Sequence, residues 1–178
     1  MFKTDDIKIL YDESQIQSGI KYLADKLNAY YGDKELYLIC VLKGSAMFTV
    51  DLAKRLKMPV KMEFIKLSSY GSATSTSGKV NAVDITLPDL NKKNVLIVED
   101  IIDSGHTAKF LIDFINHNFK VNDLKFCSLL DKKIRRVVDI DADFYVFEVE
   151  DKFLVGYGLD YDGYFRNIPY IGYIENLV

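Results

Sequence analysis

Two adjacent carboxylates, Glu99 and Asp100, directly follow the apolar run V95-L-I-V98. In open α/β sheets, ligands bind beyond the carboxyl ends of the strands, so these side chains are placed for a ligand. The next polar run, D103-S-G-H-T107, offers a glycine for close backbone approach, two hydroxyls and the N–H groups of a starting helix, which together suit a phosphate. Carboxylates accept hydrogen bonds from sugar hydroxyls. The pattern therefore predicts a site for a phosphorylated sugar, with Asp103 between the two groups.

Each part of this run also has an ordinary interpretation. Glu99 and Asp100 could form a turn at a strand end, and the segment 104–107 could simply cap a helix. The run matches neither the G-x-x-x-x-G-K-[ST] loop nor the dinucleotide G-x-G-x-x-G pattern. The strand before it and the helical pattern after it make the whole run far more specific than its parts.

The flanking segments predict the elements that hold this run. Helical spacing covers residues 14–31, where Ser14 and Gln17 resemble a capping box and Gly32 is a stop signal. Two more helices are predicted, one after residues 43–45 that runs through residue 57 and one over 108–118. Strands are predicted at residues 36–42, 60–67, 79–86, 95–100, 124–130 and 143–149.

This alternation of strands and helices predicts an α/β fold with a largely parallel central sheet flanked by helices. The length of 178 residues suits a single domain over residues 1–178. Residues 68–79 are small, polar and glycine-containing, which predicts a flexible tip on a long hairpin. The last thirty residues are rich in Gly, Tyr and Asp and are expected to form a functional cap rather than a regular element.

The composition limits the partners. A net charge of −3 provides no global positive field for nucleic acid, although a local basic patch is compatible with it. The first ten residues lack the apolar core of a secretory signal, and no apolar run approaches membrane-spanning length. We therefore expect a cytoplasmic protein that binds neither nucleic acid nor membrane.

The run V95-L-I-V-E-D-I-I-D-S-G-H-T107 resembles the phosphoribosyl-diphosphate signature of type I phosphoribosyltransferases, in particular of their hypoxanthine-guanine branch. Further matches follow in the family's order. They are L42-K-G-S45 for the diphosphate loop, Ser69-Tyr70 for the flexible catalytic loop, L129-L-D-K132 for the purine-reading strand, and K152-F-L-V-G-Y-G-L-D-Y-D-G-Y-F-R166 for the base-and-metal segment. The resemblance spans residues 42–172.

The resemblance implies roles for the central run. Glu99 and Asp100 would hold the ribose 2′- and 3′-hydroxyls, and Asp103 would act as the general acid/base at the purine N7. The 5′-phosphate would bind the backbone and hydroxyls of Ser104, Gly105, His106 and Thr107. His106 stands where the family pattern has Lys or Asn, and we expect little effect because such a loop binds phosphate mainly through its main chain.

The diphosphate leaving group would contact Lys43, Gly44 and Arg166, and the family has a cis peptide at the bond matching Leu42–Lys43. Mg²⁺ would be the cofactor, bound by Asp160 together with Glu99, Asp100, waters and the diphosphate. Ser69 and Tyr70 would close over the donor during turnover.

The purine would be held by a small base-binding hood. Lys132 would donate to the purine O6, which favours 6-oxopurines over adenine. Phe153 and Leu159 would sandwich the base, and the backbone of Leu154 would read its edge. Taken singly, Phe153 is more often a core residue and Lys132 a solvated charge. The resemblance implies transfer of a 5-phosphoribosyl group from phosphoribosyl diphosphate to hypoxanthine, and also guanine, by a homodimer or homotetramer.

Three alternatives stay open at this point. The first is an enzyme of the same fold that acts on adenine, xanthine or a pyrimidine. The second is a regulator of this fold that binds nucleotide and RNA or DNA without catalysis, which would show salt-sensitive RNA binding. The third is a nucleotide-binding α/β domain of no stated activity, in which the Ser/Thr-rich loop and the Lys43-Gly44 loop would have no role.

Overall fold

The structure is a computed structural model, and it describes residues 4–69 and 80–175. Nine strands, three α-helices and two 3-10 turns are present in these residues. In chain order they are a 3-10 turn Thr4–Asp6, β1 Ile7–Tyr11, α1 Glu13–Tyr31, β2 Leu36–Leu42, α2 Ala46–Ala53, β3 Val60–Ser69, β4 Val80–Asp84, β5 Asn94–Ile102, α3 His106–Asn118, β6 Asp123–Asp131, a 3-10 turn Lys133–Arg135, β7 Phe144–Glu148, β8 Leu154–Val155 and β9 Ile171–Ile174.

A six-stranded sheet in the order β4-β3-β2-β5-β6-β7 forms the centre. Strands β3, β2, β5, β6 and β7 are parallel, and β4 pairs antiparallel with β3. The predicted α/β class and largely parallel sheet are confirmed. The predicted hairpin of β3 and β4 is also present, while its expected flexible tip lies mostly outside the described residues.

Both faces of the sheet are covered by helices, which explains why the central strands are apolar throughout. Alternate residues of β5 point to opposite faces. Leu96 and Val98 pack with α1 and α2, whereas Val95 and Ile97 pack with α3. The sheet is thereby fixed between two apolar layers, and its carboxyl edge is a rigid platform for the loops that follow β2, β5 and β6.

The boundaries of two helices differ from the prediction. The capping box of α1 is formed by Asp12 and Gln15, two residues earlier than Ser14 and Gln17, while Gly32 ends the helix as expected. Helix α2 ends at Ala53 rather than Lys57. The reason is tertiary, because the side chain of Asn28 on α1 bonds the carbonyl of Arg55 and the N–H of Lys57 and holds this segment out of helical geometry.

A second, three-stranded sheet in the order β1-β9-β8 was not predicted. Both of its pairings are antiparallel, and they join the start of the described chain to its end. The last thirty residues therefore contain two short strands, which corrects the expectation of a cap without regular elements. No helix in the described ranges is long and apolar enough to cross a membrane.

Candidate functional site

Three loops meet at the carboxyl edge of the central sheet. Gly44 follows β2 and lies against the carboxylate of Asp100 at the end of β5, so closely that a Cβ at position 44 would overlap Asp100 Oδ2. Gly158, with φ of +102°, lies against the carbonyl oxygen of Gly44 in the same way. Both positions need glycine for this approach. The predicted diphosphate loop, the carboxylate pair and the base-and-metal segment 152–166, called the hood segment below, are thus brought together.

The loop after β2 has a cis peptide between Leu42 and Lys43, as the resemblance implied. Ser45 is fully buried and its hydroxyl donates to the carbonyl of Val41 at 2.7 Å, which ties the loop back to its own strand. Lys43 is exposed and Gly44 is buried. The loop therefore presents main chain and the exposed ammonium of Lys43 beside the carboxyl edge of the sheet.

The two adjacent carboxylates are shielded from solvent, Glu99 almost fully and Asp100 in part. Glu99 is 7% exposed, and burial together with the neighbouring Asp100 raises its pKa well above the ordinary range. Burial raises the pKa of Asp100 to about 6, against the opposing effects of the Ile101 N–H, which donates to Oδ1 at 3.0 Å, and of Arg166. Hydrogen bonds from hydroxyl groups, or a bound cation, would stabilise the ionised form of both carboxylates.

The segment after β5 turns directly into α3. Gly105 is the N-cap residue with φ of +86°, so Ser104 and Gly105 form the turn while His106 and Thr107 begin the helix. The helix starts two residues before the predicted residue 108. No side chain in the described ranges caps this end, and its N–H groups therefore form the kind of site that binds an anion.

Asp103 lies between the carboxylate pair and the start of α3. Its Oδ1 is buried and has no hydrogen-bond partner in the part of the chain that the structure describes. Its Oδ2 lies 4.0 Å from a guanidinium nitrogen of Arg135. A carboxylate oxygen that is desolvated and unpaired is available to take a proton from a ligand.

The hood segment lies beside this run. Lys132 is 6% exposed, its main-chain N–H donates to the carbonyl of Ile102, and its Nζ donates to the carbonyl of Lys152 at 2.9 Å. Phe153 is half-exposed and packs edge-to-face on Tyr161, with ring centroids 5.6 Å apart. Leu154 and Leu159 are buried. A cation and an exposed aromatic face are therefore fixed close together, which suits a flat, polar-edged ring.

Asp160 and Arg166 form an ion pair, with Oδ1 and Nη2 2.5 Å apart. Arg166 Nη1 also donates to the carbonyl of Gly158 at 2.6 Å, and Gly163 N–H donates to Asp160 Oδ2 at 2.8 Å. This pair is not an isolated surface feature, because Arg166 and Asp160 both act on the pKa of Asp100. The predicted diphosphate and metal residues therefore share one electrostatic environment.

A metal would need further ligands at this site. Residues 4–69 and 80–175 contain no group of three or more His, Cys, Asp or Glu side chains that could hold an ion. A hard cation that keeps waters and binds a ligand's phosphate oxygens needs only one or two carboxylates. The raised pKa of Asp100 also shows a carboxylate that a cation would stabilise. The residues present fit Mg²⁺ carried in with a phosphorylated ligand.

The side chains of two predicted residues, Ser69 and Tyr70, lie outside the part of the chain that the structure describes. Ser69 is the last residue of β3, and only its backbone is described. Tyr70 lies outside the described residues. Their role in a closing loop stays a prediction.

Sequence reasoning missed four charged residues next to the site. Asp151 accepts from Arg135 Nε at 2.6 Å and lies 3.7 Å from Lys132 Nζ. Arg136 bonds both the carboxylate of Asp131 and the main-chain oxygen of Asp103. The only signal in the sequence was the dense charge of D131-K-K-I-R-R136, which is also typical of a solvated turn.

The chain is similar to known proteins over nearly its whole length. A family model for the phosphoribosyl transferase domain matches residues 6–162. The hypoxanthine-guanine phosphoribosyltransferase of Bacillus subtilis (strain 168) is 42% identical over 178 residues, which are 100% of this chain and 98% of the relative.

Solved structures agree with this similarity. A hypoxanthine phosphoribosyltransferase from Staphylococcus aureus superposes with a TM-score of 0.91 at 39% identity, over 96% of this chain and 93% of that one. A hypoxanthine-guanine phosphoribosyltransferase from Bacillus anthracis superposes with a TM-score of 0.87 at 43% identity, over 94% and 98% of the two chains.

Proposed function

Because the chain belongs to the type I phosphoribosyltransferase family, in its hypoxanthine-guanine branch, we propose that it transfers the 5-phosphoribosyl group of phosphoribosyl diphosphate to hypoxanthine and guanine. The products are IMP or GMP and diphosphate, a purine salvage reaction. The observation that carries this proposal is the run of carboxylates Glu99, Asp100 and Asp103, which starts from a buried Glu99 and leads into the uncapped start of α3.

The donor is held from both ends of its ribose. Glu99 and Asp100 accept hydrogen bonds from the 2′- and 3′-hydroxyls, which offsets the burial that raises the pKa of both carboxyls. The 5′-phosphate binds the first turn of α3, where backbone N–H groups and the helix dipole favour an anion. The groups that serve it are Ser104, Gly105, His106 and Thr107.

The diphosphate leaves toward the loop after β2. Gly44 allows its close approach, Lys43 supplies an exposed positive charge, and Arg166 supplies one that the Gly158 carbonyl holds in place. Asp160, Glu99 and Asp100 would hold Mg²⁺ together with the diphosphate, and the ion would supply positive charge that neutralises the leaving group. Ser69 and Tyr70 close over the donor and exclude water, which would otherwise hydrolyse it.

One bond breaks and one forms at the anomeric carbon. The C1′–oxygen bond to diphosphate breaks with its electron pair leaving on oxygen, and the purine N9 forms the new bond to C1′. The proton on N7 passes to the carboxylate of Asp103, which restores the neutral base. The buried, unpaired Oδ1 of Asp103 supports this role because it has no competing partner among the described residues.

The base is selected at its six-membered ring. Lys132, held by the carbonyl of Lys152, donates to the O6 acceptor of hypoxanthine or guanine. Adenine presents an amino donor at that position, which cannot accept a hydrogen bond from the ammonium. Phe153 and Leu159 enclose the ring, and the main chain of Leu154 bonds its edge.

We further propose that the protein acts in the cytoplasm as a homodimer or homotetramer. Members of the family are usually dimers or tetramers. In this chain, the apolar side chains of Met47 and Val50 on α2 are exposed, which supports an interface there. Light scattering at micromolar concentration measures the mass, and a monomeric mass would refute this part of the proposal.

The test follows nucleotide formation from phosphoribosyl diphosphate and Mg²⁺ with hypoxanthine, guanine, xanthine and adenine in separate reactions. We expect product with hypoxanthine and guanine and none with adenine. In Lys132→Met we expect activity with 6-oxopurines to fall by about 100-fold, because the O6 acceptor is left unpaired. Lys133→Met is the matched control, since Lys133 pairs with Glu148 on the surface.

Each result separates the candidate functions. Product with adenine would show that Lys132 does not read O6. No product with any base, from folded protein that still binds phosphoribosyl diphosphate, would favour the regulator, and salt-sensitive RNA binding would then be the next measurement. Equal losses in the two lysine variants would remove Lys132 from the base site.

A further inference from the structure

The turn that carries Asp103 is held from behind by the segment that follows β6. Arg136 reaches across with its guanidinium fork, and Nη1 donates to the main-chain oxygen of Asp103 at 2.7 Å. The other arm, Nη2, forms an ion pair with Asp131 at the end of β6. The side chains of Arg136 and Asp131 are 12% and 0% exposed, so this bridge is part of the interior.

We propose that Arg136 is a positioning residue, whose fork spans from Asp131 to the Asp103 carbonyl and sets where the Asp103 carboxylate and the phosphate turn stand. The proposal rests on the proposed function, because it assigns Arg136 to the site in which Asp103 moves the purine proton.

Neighbouring contacts hold the same turn. The N–H groups of Val137 and Val138 both point to the carbonyl of Ser104, at 3.0 and 3.3 Å. A Cβ at Gly105 would lie 2.7 Å from Ile140 and 2.8 Å from Val138, so the turn rests directly on these side chains. The main chain of the whole turn is therefore set by residues 136–140, and Arg136 is the member that connects it to the sheet.

The ion pair between Arg136 and Asp131 is not well suited to stabilise the fold. Asp131 Oδ2 and Arg136 Nε are both buried and have no hydrogen-bond partner within residues 4–69 and 80–175. A buried ion pair with unsatisfied atoms stabilises a fold no better than apolar side chains of the same size. A role in geometry accounts for it, because two planar donors on one rigid group fix a distance and a direction.

Position at this turn has a direct effect on catalysis. The Asp103 carboxylate is only two bonds from the main chain that Arg136 holds. A displacement of about 1 Å of a reacting group lowers a catalytic rate by about 100-fold. Loss of one arm of the fork should therefore lower kcat more than it changes the KM of the purine.

The test separates charge from geometry with two variants. Arg136→Lys keeps the positive charge beside Asp131 but cannot span both acceptors, so we expect an unchanged melting temperature and a kcat lower by about 10-fold or more. Asp131→Asn keeps an acceptor for the fork but removes the charge, so we expect a lower melting temperature and a kcat within about threefold of the wild type.

Lys125→Met is the matched control, because it breaks the ion pair with Asp143 at the other end of β6. We expect its kcat and KM to equal those of the wild type. A folded Arg136→Lys protein with wild-type kcat would overturn the proposal. If that variant does not fold, a loss of kcat in folded Asp131→Asn overturns it instead. A wild-type protein that forms no nucleotide would overturn the proposed function itself.

Discussion

Acidic residues at the two edges of the central sheet have pKa values that are shifted in opposite directions. At the amino edge, Glu35 precedes β2 and accepts from Lys61 and Lys93, each at 3.2 Å, and these two lysines lower the pKa of its carboxyl. At the carboxyl edge, burial raises the pKa of Asp100 to about 6 and that of Glu99 well above the ordinary range.

The difference separates an acid that stabilises the fold from the acids that we propose bind a ligand. A carboxylate paired with cations contributes to stability when it is ionised. A buried carboxylate without sufficient compensation lowers stability when it is ionised, and persists where a substrate or cation completes it. The same residue types therefore stabilise one edge of the sheet and create binding capacity at the other.

The largest expected effect tests whether the carboxyl edge performs chemistry. Asp103→Asn keeps the shape of the side chain but cannot accept the purine proton, so we expect kcat to fall by about 100- to 10,000-fold. The affinity for phosphoribosyl diphosphate, measured by calorimetry, should stay within about threefold.

Asp113→Asn is the matched control, because Asp113 lies on the exposed side of α3 in an ion pair with Lys109. Its kcat should be that of the wild type. An active Asp103→Asn protein would leave the carboxyl edge with binding residues only and would transfer the proton step to another group.

The next prediction concerns the stability of the ligand-free protein. The pKa of Asp100 is raised from its ordinary value of 3.8 to about 6, so its contribution to stability is present below pH about 4 and is lost as pH rises to about 6. Asp100→Asn removes this loss. Because Asp100 keeps some exposure, we expect the free energy of unfolding at pH about 7.5 to rise by about 1 kcal/mol.

Urea unfolding at pH about 4 and about 7.5 measures this change in the wild type and the variant. The variant should also bind phosphoribosyl diphosphate more weakly, because the amide donates where the carboxylate accepted. A variant that is less stable at pH about 7.5 would show that Asp100 is compensated in the free protein, and the contrast between the two edges would fail.

Much of the fold was predictable because its central strands are continuous apolar runs. The stretches around residues 36–42 and 95–100 have no polar residue before their last positions and can only be buried on both faces. Strand β1 was missed because I7-K-I-L-Y11 is short and its partner β9 lies at the other end of the chain. The capping box was misplaced because Asp12 and Ser14 both stand three residues before a Gln, and the sequence does not rank the two.

The site likewise contains residues that the sequence predicts and residues that it does not. Residues 99–107 were predictable as a unit because one strand end and one helix start bring them together in sequence. Arg136 was not, since its partners are a carboxylate five residues away and a main-chain oxygen thirty-three residues away. A hydrogen bond to a main-chain carbonyl depends on the fold and leaves no pattern of residue types.

The smallest expected effect tests the amino edge. Glu35→Gln removes a charge that Lys61 and Lys93 stabilise, so it should lower the urea midpoint slightly at pH about 7, with kcat unchanged. The pKa of Glu35 is lowered in the folded protein, so its contribution is present at neutral pH and is lost as pH falls below the ordinary value of 4.5. The variant and the wild type should therefore unfold alike in acid. This is the opposite sign to Asp100→Asn, and two destabilised variants at neutral pH would show that both edges hold their acids in the same way.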